Sequence, residues 1–385
     1  MIKFLIRRFI QMGILFVVFL SVVWLILQAM PGDVSDTLIG DPSIPLTARA
    51  DLRARLGLDQ PLHIQYLTYI TNFFRGDMGV SFSRYPQEVS AILWDALPRT
   101  LYLFLTATLF AFWLGFKTGK LIAWGRGGKS EQGLIVGGVF LQTVFYPWFA
   151  IVMLWLFGFI LGWFPIGRFI NARLWQGGPY LANDVFELIV LTVVITGVLY
   201  GLMRLAIKRF AANPVLEHRL RQGAALVSVG GLMVYWYLSP MRTYAADIAH
   251  HTILPVVTLG LVAFGATMLL TRSSMLETLG EDYILTARAK GLHDRAIRDR
   301  HAARNAMLPV TTSLVLALAF VIGGGIITET IFSWPGMGRV FLDAINVSDL
   351  PLAIGALSIT GVLALVGHLV ADILYTMLDP RIRIS

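Results

Sequence analysis

Long apolar runs recur along the chain and form its most prominent pattern. Eight of them stand out, at about residues 9–29, 100–122, 134–161, 185–203, 223–239, 252–271, 309–331 and 351–377. About 20 apolar residues in a helix cross the ~30 Å hydrocarbon layer of a bilayer. Lipid offers no water to the backbone, and the runs are continuous rather than alternating, so they indicate helices rather than a barrel. The pattern predicts an all-α, polytopic transmembrane bundle of about eight spans.

Two of the runs have features that affect how they cross the membrane. The run 134–161 contains Pro147, so we expect its helix to be kinked or tilted. The run 223–239 is the shortest of the eight.

The N-terminus combines a basic start with an apolar run. Lys3, Arg7 and Arg8 precede that run, as they would in a secretory signal peptide. However, the run is long enough to span the membrane, and no small-x-small cleavage site precedes Pro31. We therefore expect residues 1–30 to be a retained N-terminal span.

Composition and charge support a membrane protein and suggest its orientation. The chain of 385 residues is 56% hydrophobic and only 14% charged, whereas soluble domains carry about 25% charged residues. There is no cysteine, which excludes disulfides and thiol chemistry. With the N-terminus inside, internal segments hold 21 of the 31 Lys and Arg residues. This bias predicts cytoplasmic termini, and it explains the net charge of +8 without nucleic-acid binding.

The largest internal segment, residues 272–308, has a pattern typical of two short helices joined by a glycine turn. Acidic residues and good helix formers follow Glu281, Gly291 interrupts them, and Pro309 is expected to open the next span. Small residues near the bend would let a helix lie in a groove of another protein. The composition alone leaves open a solvated basic loop that contacts nothing.

The same segment resembles the signature cytoplasmic loop of ABC importer permeases. Thr286 and Arg288 depart from the Glu-Ala-Ala core of that signature, whereas Gly291 matches its glycine. The resemblance implies that this loop couples the chain to a separate ATPase. The coupling residues would be Tyr283, Thr286, Ala287, Arg288, Ala289, Lys290, Gly291, Leu292, Arg304, Asn305, Leu308 and Pro309.

Other motifs extend the resemblance to the dipeptide/oligopeptide permease family. They lie at residues 55–62, 65–66, 75–82, 97–101, 329–339 and 378–383. That family has a core of six spans, so the resemblance implies that two extra spans are inserted at about 168–245. The implied organisation is an N-terminal span 1–30, an external loop 31–99 and a transmembrane permease domain 100–385.

The resemblance also implies a function. The chain would be a non-catalytic, multi-pass subunit of the plasma membrane that forms the path for imported di- or oligopeptides. Its partners would be a second homologous permease, two ABC ATPases that bind ATP and Mg, and an extracytoplasmic substrate-binding protein. Other cargo, such as a nickel chelate, a sugar or a glutathione-like solute, remains open, as does a stand-alone channel or secondary transporter.

We expect the other candidate sites to have structural roles or to lie in the transport path. Gly128-Lys129-Ser130 resembles the end of a phosphate-binding loop, but Ala123 stands where that motif needs a glycine, so we expect no cofactor on this chain. Asp247, His250 and His251 offer too few ligands in suitable register for a metal. We expect a hinge or permease interface at Gly323, Gly324 and Gly325, and an external gate at Glu329, Trp334, Pro335 and Gly336.

Overall fold

The computed structural model describes residues 2–28, 60–125, 127–210, 214–321 and 325–378. These residues form mainly helices, and the β-bridging among them is one isolated pair, Val80 and Glu88. In chain order the helices are α1 (Ile2–Gln28), α2 (Leu62–Arg75), α3 (Val89–Trp124), α4 (Lys129–Thr143), α5 (Tyr146–Met153), α6 (Ala172–Trp175), α7 (Ala182–Phe210), α8 (Pro214–Leu238), α9 (Arg242–Leu279), α10 (Asp282–Ala289), α11 (Asp294–Ala296), α12 (Ala303–Val321), α13 (Ile326–Ile331), α14 (Met337–Asn346) and α15 (Leu350–Leu378). Two π-helical turns, Leu154–Ile160 and Ile297–Ala302, continue α5 and precede α12.

The helical membrane fold agrees with the sequence, but the described helices supply fewer spans than the eight expected. Six are long and apolar enough to cross a membrane, and α4 with α5 makes a seventh if the bent pair is one span. The run 223–239 does form a helix, α8. Its first turns carry Glu217, Arg219 and Arg221, so α8 does not reach the apolarity of the six.

The expected kink near Pro147 is a sharp break. The axes of α4 and α5 differ by 109°, and the chain passes between them through extended residues at Val144 and Phe145. Pro147 lies in the first turn of α5, where its missing N–H removes no helical hydrogen bond. The proline therefore starts a new helix instead of bending one.

Two boundaries differ from those expected. The helix α3 begins at Val89, before the expected start of the span near residue 100, because Val89, Ile92, Leu93 and Ala96 bury an apolar stripe at helical spacing. Residues 31–59 of the expected external loop lie outside the described residues.

Pro309 was expected to open a span, and this prediction is wrong. The helix α12 starts at Ala303 and runs through Pro309. A proline inside a membrane helix is tolerated where neighbouring groups and local adjustments satisfy the freed carbonyl.

The chain divides into two compact units, one formed by residues 1–155 and 255–385 and the other by residues 156–254. In the first unit, α3 packs against α12, α14 and α15, and α1 packs against α15. An ion pair of 3.4 Å between Arg8 Nε and Asp372 Oδ2 joins α1 to α15. In the second unit, α7 packs against α8, and Trp236 Nε1 donates a hydrogen bond to Thr192 Oγ1 over 3.2 Å.

Glycines in α3 allow α9 to approach its backbone closely. A Cβ placed on Gly115 would lie 2.7 Å from Thr267 Cβ, and one on Gly119 would lie 2.6 Å from the carbonyl oxygen of Met268. Small residues at such crossings are the usual means of close packing between membrane helices.

We expect Gly119→Val to destabilise the first unit by about 1–3 kcal/mol, because the added carbons would force α3 and α9 apart. Thermal unfolding of the purified protein in detergent measures the loss. The matched control is Gly13→Val, since nothing lies within 4 Å of a Cβ at Gly13. The same substitution in both helices cancels the helix-propensity cost, so equal losses would contradict the packing role of Gly119.

Candidate functional site

The segment between α9 and α12 folds as a short helix, a glycine turn and a second helical stretch. The helix α10 ends at Ala289, and Gly291 adopts φ +72°. The N–H of Gly291 donates to the Arg288 carbonyl over 2.9 Å, and the N–H of Leu292 donates to the Ala287 carbonyl over 3.3 Å. These bonds satisfy the last carbonyls of α10, and glycine takes the left-handed conformation at little cost.

One face of α10 is fixed in a buried apolar cluster. Ile284 is fully buried and Ala287 is 5% exposed. The cluster draws on the last turns of α3 and α9 and on the start of α12. Its buried members are Ala123, Met275, Ile284, Ala287, Ile297, Ala302, Ala303 and Ala306. A displacement of α10 would therefore press directly on α3, α9 and α12.

Polar contacts add to this attachment. Asn305 Nδ2 donates to the Tyr283 hydroxyl over 2.9 Å, which joins α12 to α10. Lys120 Nζ lies 3.0 Å from Asp299 Oδ1, so an ion pair links α3 to the π-helical turn before α12. Both carboxylate oxygens of Asp299 also accept hydrogen bonds from Arg298.

The opposite face of α10 is open. Leu285 is 61% exposed and Leu292 is 40% exposed. Leu285 and Ala289 are spaced at i and i+4, which places them on one side of α10, and Leu292 is exposed just beyond the glycine turn. These leucines form a small exposed apolar patch on a short polar segment. We call Leu285, Ala289 and Leu292 the apolar face of α10.

The residues expected to couple fall into two groups. Ala287 and Tyr283 hold α10 in place, and Tyr283 is brought together with Asn305. The rest lie exposed: Thr286, Arg288, Ala289, Lys290, Gly291, Leu292, Arg304, Asn305, Leu308 and Pro309. The sequence analysis did not include Leu285 or Ile284 among the coupling residues. The helical spacing of apolar and polar positions along this segment is a signal that could have found them.

A second cluster forms around Glu329, which lies in α13, between the spans α12 and α15. Its side chain is fully buried. Oε1 accepts a hydrogen bond from Thr100 Oγ1 over 2.7 Å, and Oε2 accepts one from the N–H of Arg339 over 3.0 Å. Thr100 Oγ1 in turn accepts the N–H of Met337 over 2.8 Å. Burial raises the pKa of Glu329, while these hydrogen bonds act to lower it.

Trp334 and Pro335 complete this cluster. Trp334 is fully buried, and its Nε1 donates to the Arg99 carbonyl over 3.1 Å. Arg99 Nη1 donates to the Pro335 carbonyl over 3.3 Å. A Cβ on Gly336 would lie 2.5 Å from Thr100 Oγ1. The residues expected to form an external gate therefore pack together into a tight junction of α3, α13 and α14.

Only part of the expected glycine hinge can be described. Gly323 and Gly324 lie outside the described residues. Gly325 is the residue before α13, and a Cβ there would lie 2.6 Å from Phe104 Cζ. Gly325 therefore packs closely against α3.

Asp247 and the two histidines beside it belong to the second unit. Asp247 Oδ2 accepts hydrogen bonds from the N–H of Asn171 over 2.9 Å and from Trp175 Nε1 over 2.8 Å. His250 Nε2 lies 2.9 Å from the Trp163 carbonyl oxygen. In the described part of the chain, no group of three or more His, Cys, Asp or Glu side chains is placed to hold a metal ion.

Comparison with known proteins gives matches over the whole chain. Residues 115–384 match the family model described as binding-protein-dependent transport system inner membrane component, and residues 1–104 match the N-terminal model of such membrane components. A di/tripeptide transport system permease protein of Pseudomonas aeruginosa is 31% identical over 100% of this chain and 99% of its own length. A dipeptide transport system permease protein of Escherichia coli is 32% identical over 100% of this chain and 99% of its own length. An oligopeptide transport system permease protein of Bacillus subtilis is 30% identical over 94% of this chain and 92% of its own length.

We expect Thr100→Val to destabilise the junction around Glu329, because it leaves the buried N–H of Met337 and Oε1 of Glu329 without this partner. Each such group costs about 1–3 kcal/mol. Thermal unfolding and limited proteolysis between residues 332 and 350 measure the effect.

Thr118→Val in the same helix is the control, since its hydroxyl bonds the carbonyls of Leu114 and Gly115 in its own helix. Similar losses in both variants would show that Thr100 does not hold the junction.

Proposed function

Because the chain belongs to the family of binding-protein-dependent transport system inner membrane components, we propose that it is the permease subunit of an ATP-driven importer of di- and oligopeptides. The chain is a multi-pass helical protein of the plasma membrane. The cargo follows from the names of the full-length relatives, which are peptide permeases. ATP would be hydrolysed by separate ATPase subunits, and a second permease subunit would complete the translocation path.

The observation that carries the proposal is the two-sided construction of α10. Its buried side is joined to three long helices through Ile284 and Ala287. Its other side exposes the apolar face, and charged residues, Arg288 and Lys290, lie beside that face. A short helix of this kind fits into a groove of a partner protein. We propose that the ATPase binds there.

Coupling then follows from contacts that differ between two states of the transporter. A partner can shift a conformational equilibrium only by binding one state better than the other. Since α10 shares a cluster with Ala123 of α3, Met275 of α9 and Ala303 of α12, movement of a bound ATPase would displace these helices together. We propose that this displacement alternates the access of the translocation path between the two faces of the membrane.

The division of the chain supports a proposal on its domains. Residues 156–254 form a compact unit of their own, and they include the segment 168–245 expected to be inserted. We propose that a permease core is built from the N-terminal span 1–30, the loop 31–99 and the rest of residues 100–385, with this unit as the addition.

We expect Gly291→Val to uncouple ATP hydrolysis from peptide uptake, because β-branched residues are strained at positive φ and the turn after α10 would change. Uptake is measured in proteoliposomes with the complete complex, ATP inside and binding protein with labelled peptide outside. We expect at least a tenfold fall in peptide transported per ATP.

Gly291→Asn is the matched variant, since asparagine tolerates this conformation better and open space surrounds the position. It should retain most of the coupling. Normal uptake with valine at this position would argue strongly against the proposed role of the turn.

We expect Leu285→Ser to weaken ATPase binding about tenfold or more, because burying a leucine in a partner's groove is worth about 1.5–3 kcal/mol. Co-purification and titration with the ATPase subunits measure the loss. Leu220→Ser in α8 removes another exposed leucine and should change the affinity less than twofold. An equal effect of the two variants would show that the apolar face of α10 is not part of the interface with the ATPase.

A further inference from the structure

A cleft of about 340 Å³ lies between the start of α3, the residues before it and α14. Its wall carries an unusual concentration of charge for a protein with 14% charged residues. The charged side chains are Arg84, Asp95, Arg99, Arg339 and Asp343.

The cleft and α10 lie at opposite ends of one helix. Arg99 lines the cleft, whereas Ala123 belongs to the cluster that holds α10. Both residues are in α3, and at 1.5 Å per residue they are separated by about 36 Å along its axis, more than the ~30 Å hydrocarbon thickness. If α10 meets the ATPase in the cytoplasm, as proposed above, the cleft opens on the external face.

The junction around Glu329 holds two of the arginines in place. The side chain of Arg99 is fixed by the Pro335 carbonyl, and the backbone of Arg339 is fixed by Glu329 Oε2. The guanidinium of Arg339 also lies 3.6 Å from Asp343 Oδ2. Three guanidinium groups face two carboxylates, so the cleft carries a net positive charge and is organised before anything binds. Guanidinium groups held in this way are suited to receive carboxylates.

We infer that this cleft is the docking site for an acidic surface of the extracytoplasmic binding protein. The inference rests on the proposed function, and the family description itself states dependence on a binding protein. A peptide importer must accept cargo of either charge, which a positive site for the cargo would hinder. A binding protein presents the same surface in every delivery, so complementary charge can speed and orient its docking without sorting the cargo.

The test measures the concentration of binding protein that half-saturates peptide uptake in proteoliposomes with the full complex. We expect Arg84→Glu to raise it at least tenfold and to flatten its dependence on salt. Arg84 is exposed, and so is the control Arg75 at the end of α2, which does not line the cleft. Arg75→Glu should change the concentration less than twofold.

Asp343→Asn gives a readout of opposite sign. Removing a negative charge from the cleft should lower the half-saturating concentration about twofold to fivefold, whereas a purely structural role would make both variants weaker. The inference is overturned if Arg84→Glu behaves as Arg75→Glu does, or if Asp343→Asn and Arg84→Glu impair docking alike.

Two further outcomes separate this inference from others. If Arg84→Glu changes only the preference between free and C-terminally amidated peptides at saturating binding protein, the cleft recognises cargo and the inference is wrong. If the unaltered complex takes up no peptide in a manner dependent on ATP and binding protein, the proposed function itself fails, and this inference fails with it. Intact uptake with no effect at Arg84 rejects the docking site alone.

Discussion

The long helix α3 is the element on which the rest of the first unit depends, because it is packed at both of its ends and along its middle. One end shares the apolar cluster with α10, and the other carries Thr100, which bonds both Glu329 and the start of α14. Between them, Gly115 and Gly119 bring α9 close to its backbone. The 36 residues of α3 connect the cluster around α10 to the junction around Glu329.

The two ends of α3 are built from different interactions. The α10 end is held mainly by small apolar side chains, with exposed polar contacts such as Lys120 to Asp299, whose strength in water is modest. The Glu329 end is held by buried hydrogen bonds, whose loss leaves polar groups without partners. Apolar contacts have little directional preference, whereas the hydrogen bonds of the junction fix the position of α14 beside α3. This division suits the two proposed roles, in which an ATPase moves α10 and a binding protein docks at the cleft.

Two carboxylates that were candidates for chemistry take part in structural contacts. The carboxylate of Glu329 is occupied by structural hydrogen bonds, and that of Asp247 by Asn171 and Trp175. In the proposed function, activity depends on which surfaces α10 and the cleft offer to partners. Family membership, the exposed apolar face and the charged cleft all favour a subunit that works within a larger complex.

The sequence by itself determined the helical membrane class, the family and the glycine turn after α10. Long apolar runs and local backbone preferences carry that information, since lipid imposes helices and a glycine permits positive φ. The tertiary structure decided what the sequence left open: that α3 begins at Val89, that Pro309 lies inside a helix, and that the run containing Pro147 breaks by 109°. It also separated the buried Ala287 from the exposed Leu285, and it joined Thr100 to Glu329 and Arg99 to Pro335. These features arise from contacts between residues that are distant in the chain, and hydropathy and local propensity do not encode such contacts.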